Sequence, residues 1–71
     1  MEPGQESPPR ITAQEQKVLN LVLEGYSNQE VARRLYLSHY TVRDCVSVLL
    51  RKFGVHNRVA LSLSHKVRHR N

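Results

Sequence analysis

Two helix-forming segments separated by only three residues constrain the fold of this chain most strongly. The first segment begins at Ser27, which has the S-x-x-E spacing of a capping box with Glu30, and it ends near Leu35 or Tyr36. The second segment begins at Ser38. Two helices joined through so short a turn form a helix-turn-helix unit. Glycine is common in such turns, but the three turn residues here include none.

The remaining signals along the chain are also helical. Thr12 and Glu15 have capping-box spacing at the start of a first helix, and Gly25 stands where a helix commonly ends in a left-handed residue. A third helix ends at Gly54, and Asn57 begins a fourth. We therefore predict an all-α, four-helix bundle that contains the helix-turn-helix, with helices at about 12–24, 28–35, 39–53 and 58–68.

The first ten residues differ in composition from the rest of the chain. They contain three prolines and a glycine but no apolar run, which predicts a disordered arm or linker over residues 1–10. Residues 11–71 are assigned to a single domain with a basic C-terminal tail.

The single cysteine excludes an intrachain disulfide. No stretch is apolar enough for a membrane span or a signal peptide, so an intracellular, cytoplasmic protein is expected.

Charge is distributed very unevenly between the two halves of the chain. Residues 1–30 carry two basic and five acidic side chains, whereas residues 31–71 carry nine basic and one acidic. A basic half predicts an anionic partner, and nucleic acid is the leading candidate. A basic surface that serves only solubility is the alternative that charge leaves open.

The third predicted helix has two chemically different faces. At helical spacing its core stripe consists of Val42, Val46, Leu49 and Phe53. Its opposite face presents Tyr40, Asp44, Ser47 and Arg51, with Arg43 at the edge. In a helix-turn-helix such a face is laid into the major groove of DNA, although on an isolated helix it would be an ordinary solvated surface.

Three motifs extend this interpretation to most of the chain. GYSNQEVARRL at residues 25–35, SxxTVR at 38–43 and KFGVxNR at 52–58 resemble the LuxR/GerE-type DNA-binding domain. The similarity runs without gaps from Ile11 to about Leu63. It implies a four-helix domain whose third helix contacts DNA bases, commonly found at the C-terminal end of bacterial transcription regulators. It also implies a homodimer through the fourth helix on a pseudo-palindromic site. RNA polymerase is a candidate further partner, and no cofactor or small molecule is expected.

The resemblance assigns roles to individual residues. The base-facing positions of the family match Arg43, Asp44 and Ser47. Contacts to the DNA backbone are implied for Asn28, Ser38, Thr41, Arg51, Lys52 and Arg58. Dimerisation through the fourth helix is implied for Val59, Leu63 and Val67.

Three positions depart from the family pattern. Gln14 stands where the family usually has arginine, and Cys45 where it usually has histidine. Ala60 replaces a usual glutamate and removes half of a capping pair with Asn57, at a cost of about 1 kcal/mol. We therefore expect the fourth helix to fray at its start and to dimerise more weakly.

Asp44 is the single carboxylate in the basic half of the chain. A carboxylate near DNA is repelled by phosphates, but it also accepts a hydrogen bond from cytosine N4 and so favours that base. Direct contact to cytosine, a merely solvated side chain and a role in orienting Arg43 are the three interpretations.

Other chemistry finds little support in the sequence. Cys45 is predicted to be a small buried hydrophobic residue rather than a redox residue. His65 and His69 are predicted to be solvated in the basic tail rather than to bind a metal. Tyr36 and Tyr40 are candidates to stack on a base, with one of them expected to pack on the turn. We find no set of catalytic residues and predict that the protein is not an enzyme. The main alternative is a protein-interaction module on the same fold, which binds another regulator or RNA polymerase and has weak or lost DNA affinity. RNA binding is a further alternative, although no aromatic stacking platform is visible in the sequence.

Overall fold

The computed structural model describes residues 10–69, and describes side chains for residues 10–64. It contains the helices α1 (Ala13–Leu23), α2 (Asn28–Leu35), α3 (His39–Lys52) and α4 (Arg58–His69). All regular structure within the described residues is helical. The prediction of an all-α fold with four helices is confirmed, and each helix end agrees with the predicted one to within one residue. The predicted arm lies, apart from Arg10, outside the described residues.

The first helix begins with the predicted capping box. The Glu15 amide donates to Thr12 Oγ1 at 3.0 Å, and the Thr12 amide donates back to Glu15 Oε1 at 2.9 Å. At α2 the Ser27 hydroxyl accepts from the Glu30 amide at 3.2 Å. The Glu30 carboxylate lies 3.9 Å from the guanidinium of Arg33 and 3.8 Å from that of Arg34. One half of the second predicted box is therefore formed, while the Glu30 side chain faces along its own helix.

The start of α4 retains its cap although the usual glutamate is absent. The Asn57 side-chain oxygen accepts from the Ala60 amide at 2.8 Å. This bond satisfies one of the amides that a helix start leaves without a partner. The fourth helix consequently begins at Arg58, as the sequence predicts.

The turn between α2 and α3 achieves its shape without glycine. Tyr36 adopts a left-handed conformation, with φ 56° and ψ 43°, and its amide donates to the Ala32 carbonyl at the end of α2. The Leu37 amide donates to the same carbonyl at 2.9 Å. A residue with a Cβ in this conformation costs roughly 1–2 kcal/mol. The Tyr36 side chain is 94% exposed, so burial does not offset that cost.

The core lies between α3 and the other helices. It consists of Val18, Leu19, Val22, Val31, Ala32, Val42, Cys45, Val46, Leu49 and Leu61. Four of these residues belong to α3, which packs against both α1 and α2, while α4 packs against α1. The prediction that Val42, Val46 and Leu49 form the buried side of α3 is confirmed. Phe53 is only partly buried, and Cys45 belongs to the buried core. Because α3 is buried along one side only, its other side is left open.

Within the part of the chain that the structure describes, no helix is long and apolar enough to cross a membrane.

Candidate nucleic-acid interface

The open side of α3 carries the polar residues that the sequence placed there. Arg43, Asp44, Ser47 and Arg51 are all exposed. They lie away from Val42, Val46 and Leu49, which fix the rotation of the helix by their burial. The structure therefore brings the three predicted base-contacting residues and one predicted backbone-contacting residue onto a single surface, which we call the outer face of α3.

An aromatic side chain completes this face near the helix start. Tyr40 is 65% exposed, and the Cζ atom of Arg43 lies 5.7 Å from the centroid of its ring. A guanidinium within about 6 Å of a ring centroid is in the range of a cation–π interaction. The arginine and the tyrosine are three residues apart, a spacing at which helix side chains are neighbours.

The hydroxyl groups at the start of α3 are used within the helix cap. Ser38 Oγ accepts from the Thr41 amide at 3.0 Å and donates to Thr41 Oγ1 at 2.9 Å. The first turn of any helix also has amides without an intrahelical partner and the positive end of the helix dipole. This end of α3 is consequently suited to a phosphate through its backbone, with Ser38 and Thr41 holding the backbone in place.

Lys52 is turned away from the outer face and joined to the start of α1. Its Nζ atom donates to Glu15 Oε1 at 2.8 Å and to the Arg10 carbonyl at 3.1 Å. The hydrogen bond from Lys52, followed by the one from the Thr12 amide, lowers the pKa of the Glu15 carboxyl below its ordinary value. The positive charge of Lys52 is thus paired with the Glu15 carboxylate, although its side chain remains partly exposed.

Arg58 and Asn28 contact each other. Arg58 donates to the Asn28 side-chain oxygen and to the Tyr26 carbonyl, both at 2.5 Å, and both side chains are partly buried. These bonds tie the first residue of α4 to the first residue of α2. Both residues belong to the motifs that carry the family resemblance, but their pairing across 30 positions has no signal in a single sequence.

The α4 surface offers two exposed aliphatic side chains. Val59 is 67% exposed and Leu63 is 55% exposed, and they are four residues apart on the same helix face. The Val67 side chain, the third predicted dimerisation residue, lies outside the described residues. The same holds for His65 and His69, the pair considered as a metal site.

Beside the outer face, α3 and the start of α1 enclose a shallow depression. Its volume is about 310 Å³, and it is lined by Thr12, Gln14, Glu15, Tyr40, Thr41, Asp44, Cys45 and Val48. Burial, followed by the nearby Glu15 charge, raises the pKa of the Cys45 thiol. The thiol is therefore neutral at physiological pH, and a neutral thiol is a poor nucleophile. No group of three His, Cys, Asp or Glu residues suited to a metal occurs among the described residues.

Comparison with known proteins identifies the family. Residues 9–64 match the family described as bacterial regulatory proteins, luxR family. The nitrate/nitrite response regulator protein homolog of Haemophilus influenzae is 40% identical over 53 residues, which cover 75% of this chain and 26% of that protein. The DNA-binding transcriptional activator DevR/DosR of Mycobacterium tuberculosis is 42% identical over 48 residues, which cover 68% of this chain and 22% of that protein.

A third relative gives the same pattern of coverage. The response regulator RamR of Streptomyces coelicolor is 43% identical over 56 residues, which cover 79% of this chain and 27% of that protein. The chain thus spans about a quarter of the length of these relatives. Because the family model covers most of its 71 residues, the chain belongs to the luxR family of bacterial regulatory proteins.

Proposed function

We propose that this domain binds double-stranded DNA sequence-specifically and regulates transcription, with α3 inserted in the major groove. The observation that carries the proposal is the outer face of α3, an exposed polar surface on the second helix of a helix-turn-helix. Membership of a family of bacterial regulatory proteins supports it, as does the name of a relative called a DNA-binding transcriptional activator. The role is binding rather than catalysis.

The contacts divide into those that select a sequence and those that position the protein. Arg43, Asp44 and Ser47 are proposed to contact base edges. Arg51 and the start of α3, with Ser38 and Thr41, are proposed to contact phosphates. For Asn28, Lys52 and Arg58, the hydrogen bonds within the fold favour a supporting role, in which they hold α1, α2 and α4 around α3.

Larger assemblies are also proposed. The exposed Val59 and Leu63 are suited to a homodimer through α4, which would bind a pseudo-palindromic site. We further propose contact with RNA polymerase and a cytoplasmic, nucleoid-associated location, which suit the proposed role in bacterial transcription.

The proposed function is tested by selecting duplexes from a random library near physiological salt. We expect an enriched motif, and we expect Arg43→Ala to lose one guanine from it, because arginine binds guanine O6 and N7 with about 1–3 kcal/mol of discrimination. If only a single half-site is enriched, the domain binds DNA sequence-specifically but not as a dimer. A folded domain that enriches no motif would favour the protein-interaction alternative.

Asp44→Ala separates two roles of the carboxylate on the outer face. If Asp44 accepts from cytosine N4, the variant loses preference at one position while its affinity for random duplexes rises. If Asp44 only repels phosphates, affinity rises by the same factor for every duplex, and the cytosine contact is excluded. Binding constants for the selected motif and for its variants at each position distinguish the two outcomes.

A further inference from the structure

The Tyr40 ring is placed where it restrains the side chain on which base selection depends. Arg43 is exposed and its side chain has several rotatable bonds, so ordering it on DNA has an entropic cost. Its guanidinium carbon lies 5.7 Å from the centroid of the Tyr40 ring. Tyr40 belongs to the first turn of α3, in which Ser38 and Thr41 form the helix cap.

Stacking on a ring leaves the hydrogen-bonding edge of arginine available. The five N–H donors of a guanidinium lie in its plane, whereas a cation–π contact uses the face of that plane. A guanidinium held over an aromatic ring is therefore restricted in orientation without losing the two donors that guanine O6 and N7 require.

The neighbouring carboxylate does not provide this restraint. Within the described residues, no ion pair joins Asp44 to Arg43, although the two are adjacent in the sequence. Asp44 instead lines the depression beside α1, together with Gln14 and Tyr40. The orienting contact of Arg43 is thus the aromatic one.

We propose that Tyr40 is a positioning residue that holds the Arg43 guanidinium by a cation–π contact and thereby sharpens base discrimination. This inference rests on the proposed DNA-binding function. It assigns Tyr40 no hydrogen bond to DNA, so the ring matters and the hydroxyl does not.

Binding of the selected duplex, and of the same duplex with the Arg43-dependent guanine replaced, tests the role of Tyr40. Tyr40→Leu is expected to reduce discrimination between the two duplexes by roughly two- to fivefold, the range of an exposed cation–π contact. Tyr40→Phe, the matched control, is expected to retain wild-type discrimination. Neither change removes a charge, so affinity for random duplexes and its salt dependence are expected to stay constant. Because Tyr40 is exposed, thermal melting of both variants should remain close to wild type.

The same change made in an Arg43→Ala background completes the test. If Tyr40 acts through Arg43, Tyr40→Leu has no further effect there. If Tyr40→Leu lowers discrimination equally in the wild-type and Arg43→Ala backgrounds, the inference is overturned and Tyr40 contacts DNA directly. If Tyr40→Phe lowers discrimination, the contact belongs to the hydroxyl and not to the ring. Unchanged discrimination in Tyr40→Leu would overturn it while leaving DNA binding intact. A wild-type domain that does not discriminate between the duplexes would overturn the proposed function itself.

Discussion

Leu49→Ala is expected to lower the free energy of unfolding by about 2–5 kcal/mol. Leu49 is fully buried on the inner side of α3, where that helix packs against α1 and α2. Removing its side chain loses the burial of three carbon atoms and leaves a cavity in the core. A domain of this size rarely has more than roughly 3–5 kcal/mol of stability, so the variant is expected to be largely unfolded at 37 °C.

Leu63→Ala is the matched control for this prediction. The same atoms are removed from a leucine that is 55% exposed, and surface changes usually remain within about 0.5 kcal/mol. Urea denaturation followed by circular dichroism, at two protein concentrations, gives both free energies and detects any contribution from dimerisation. A Leu49→Ala variant as stable as Leu63→Ala would contradict the placement of Leu49 in the core.

Arg58→Ala is expected to destabilise the domain by about 2–4 kcal/mol, because two charge-assisted hydrogen bonds are lost. Its guanidinium donates to the Asn28 side chain and to the Tyr26 carbonyl from a partly buried position. Charge-assisted hydrogen bonds contribute more than neutral ones, and the variant leaves both acceptors without this donor. The change also separates α4 from the start of α2.

Arg51→Ala provides the contrasting result. Arg51 is exposed on the outer face of α3, so its loss is expected to change stability little and to reduce the slope of log affinity against log salt by about one phosphate contact. Arg58→Ala is expected to leave that slope unchanged when measured below its unfolding temperature. A reduced slope with unaltered stability in Arg58→Ala would instead make Arg58 a phosphate contact, as the family resemblance implies.

Local signals in the sequence predicted the helices because the determinants of a helix end lie within a few residues of it. The box of Thr12 with Glu15 is formed as expected. Asn57 also caps α4, although the missing glutamate led us to expect a frayed start there. The inner and outer faces of α3 were also predictable, since they depend only on helical spacing. Tyr36 was not predicted in its left-handed conformation, because a turn without glycine does not reveal which residue takes the unfavourable backbone angles.

The contacts of the cationic side chains were less predictable than the positions of these residues on the helices. Lys52 and Arg51 are adjacent and equally basic in the sequence, yet Lys52 bonds to Glu15 while Arg51 is exposed on the outer face. Arg58 reaches a residue 30 positions away. A basic side chain is available to DNA only if no hydrogen-bonding partner within the protein engages it, and such partners come close only in the tertiary fold. A count of charges along the sequence therefore cannot distinguish these residues.

Because Cys45 is buried, the rate at which its thiol is modified can report the opening of the core. The chain has one cysteine, it is 7% exposed, and desolvation keeps it as the unreactive thiol. A small maleimide or disulfide reagent can therefore modify it only when α3 separates from the rest of the core. Under native conditions, the rate of modification divided by that of the unfolded chain gives the equilibrium constant for this opening. If bound DNA slows the modification, the size of the effect reports how far binding shifts that equilibrium.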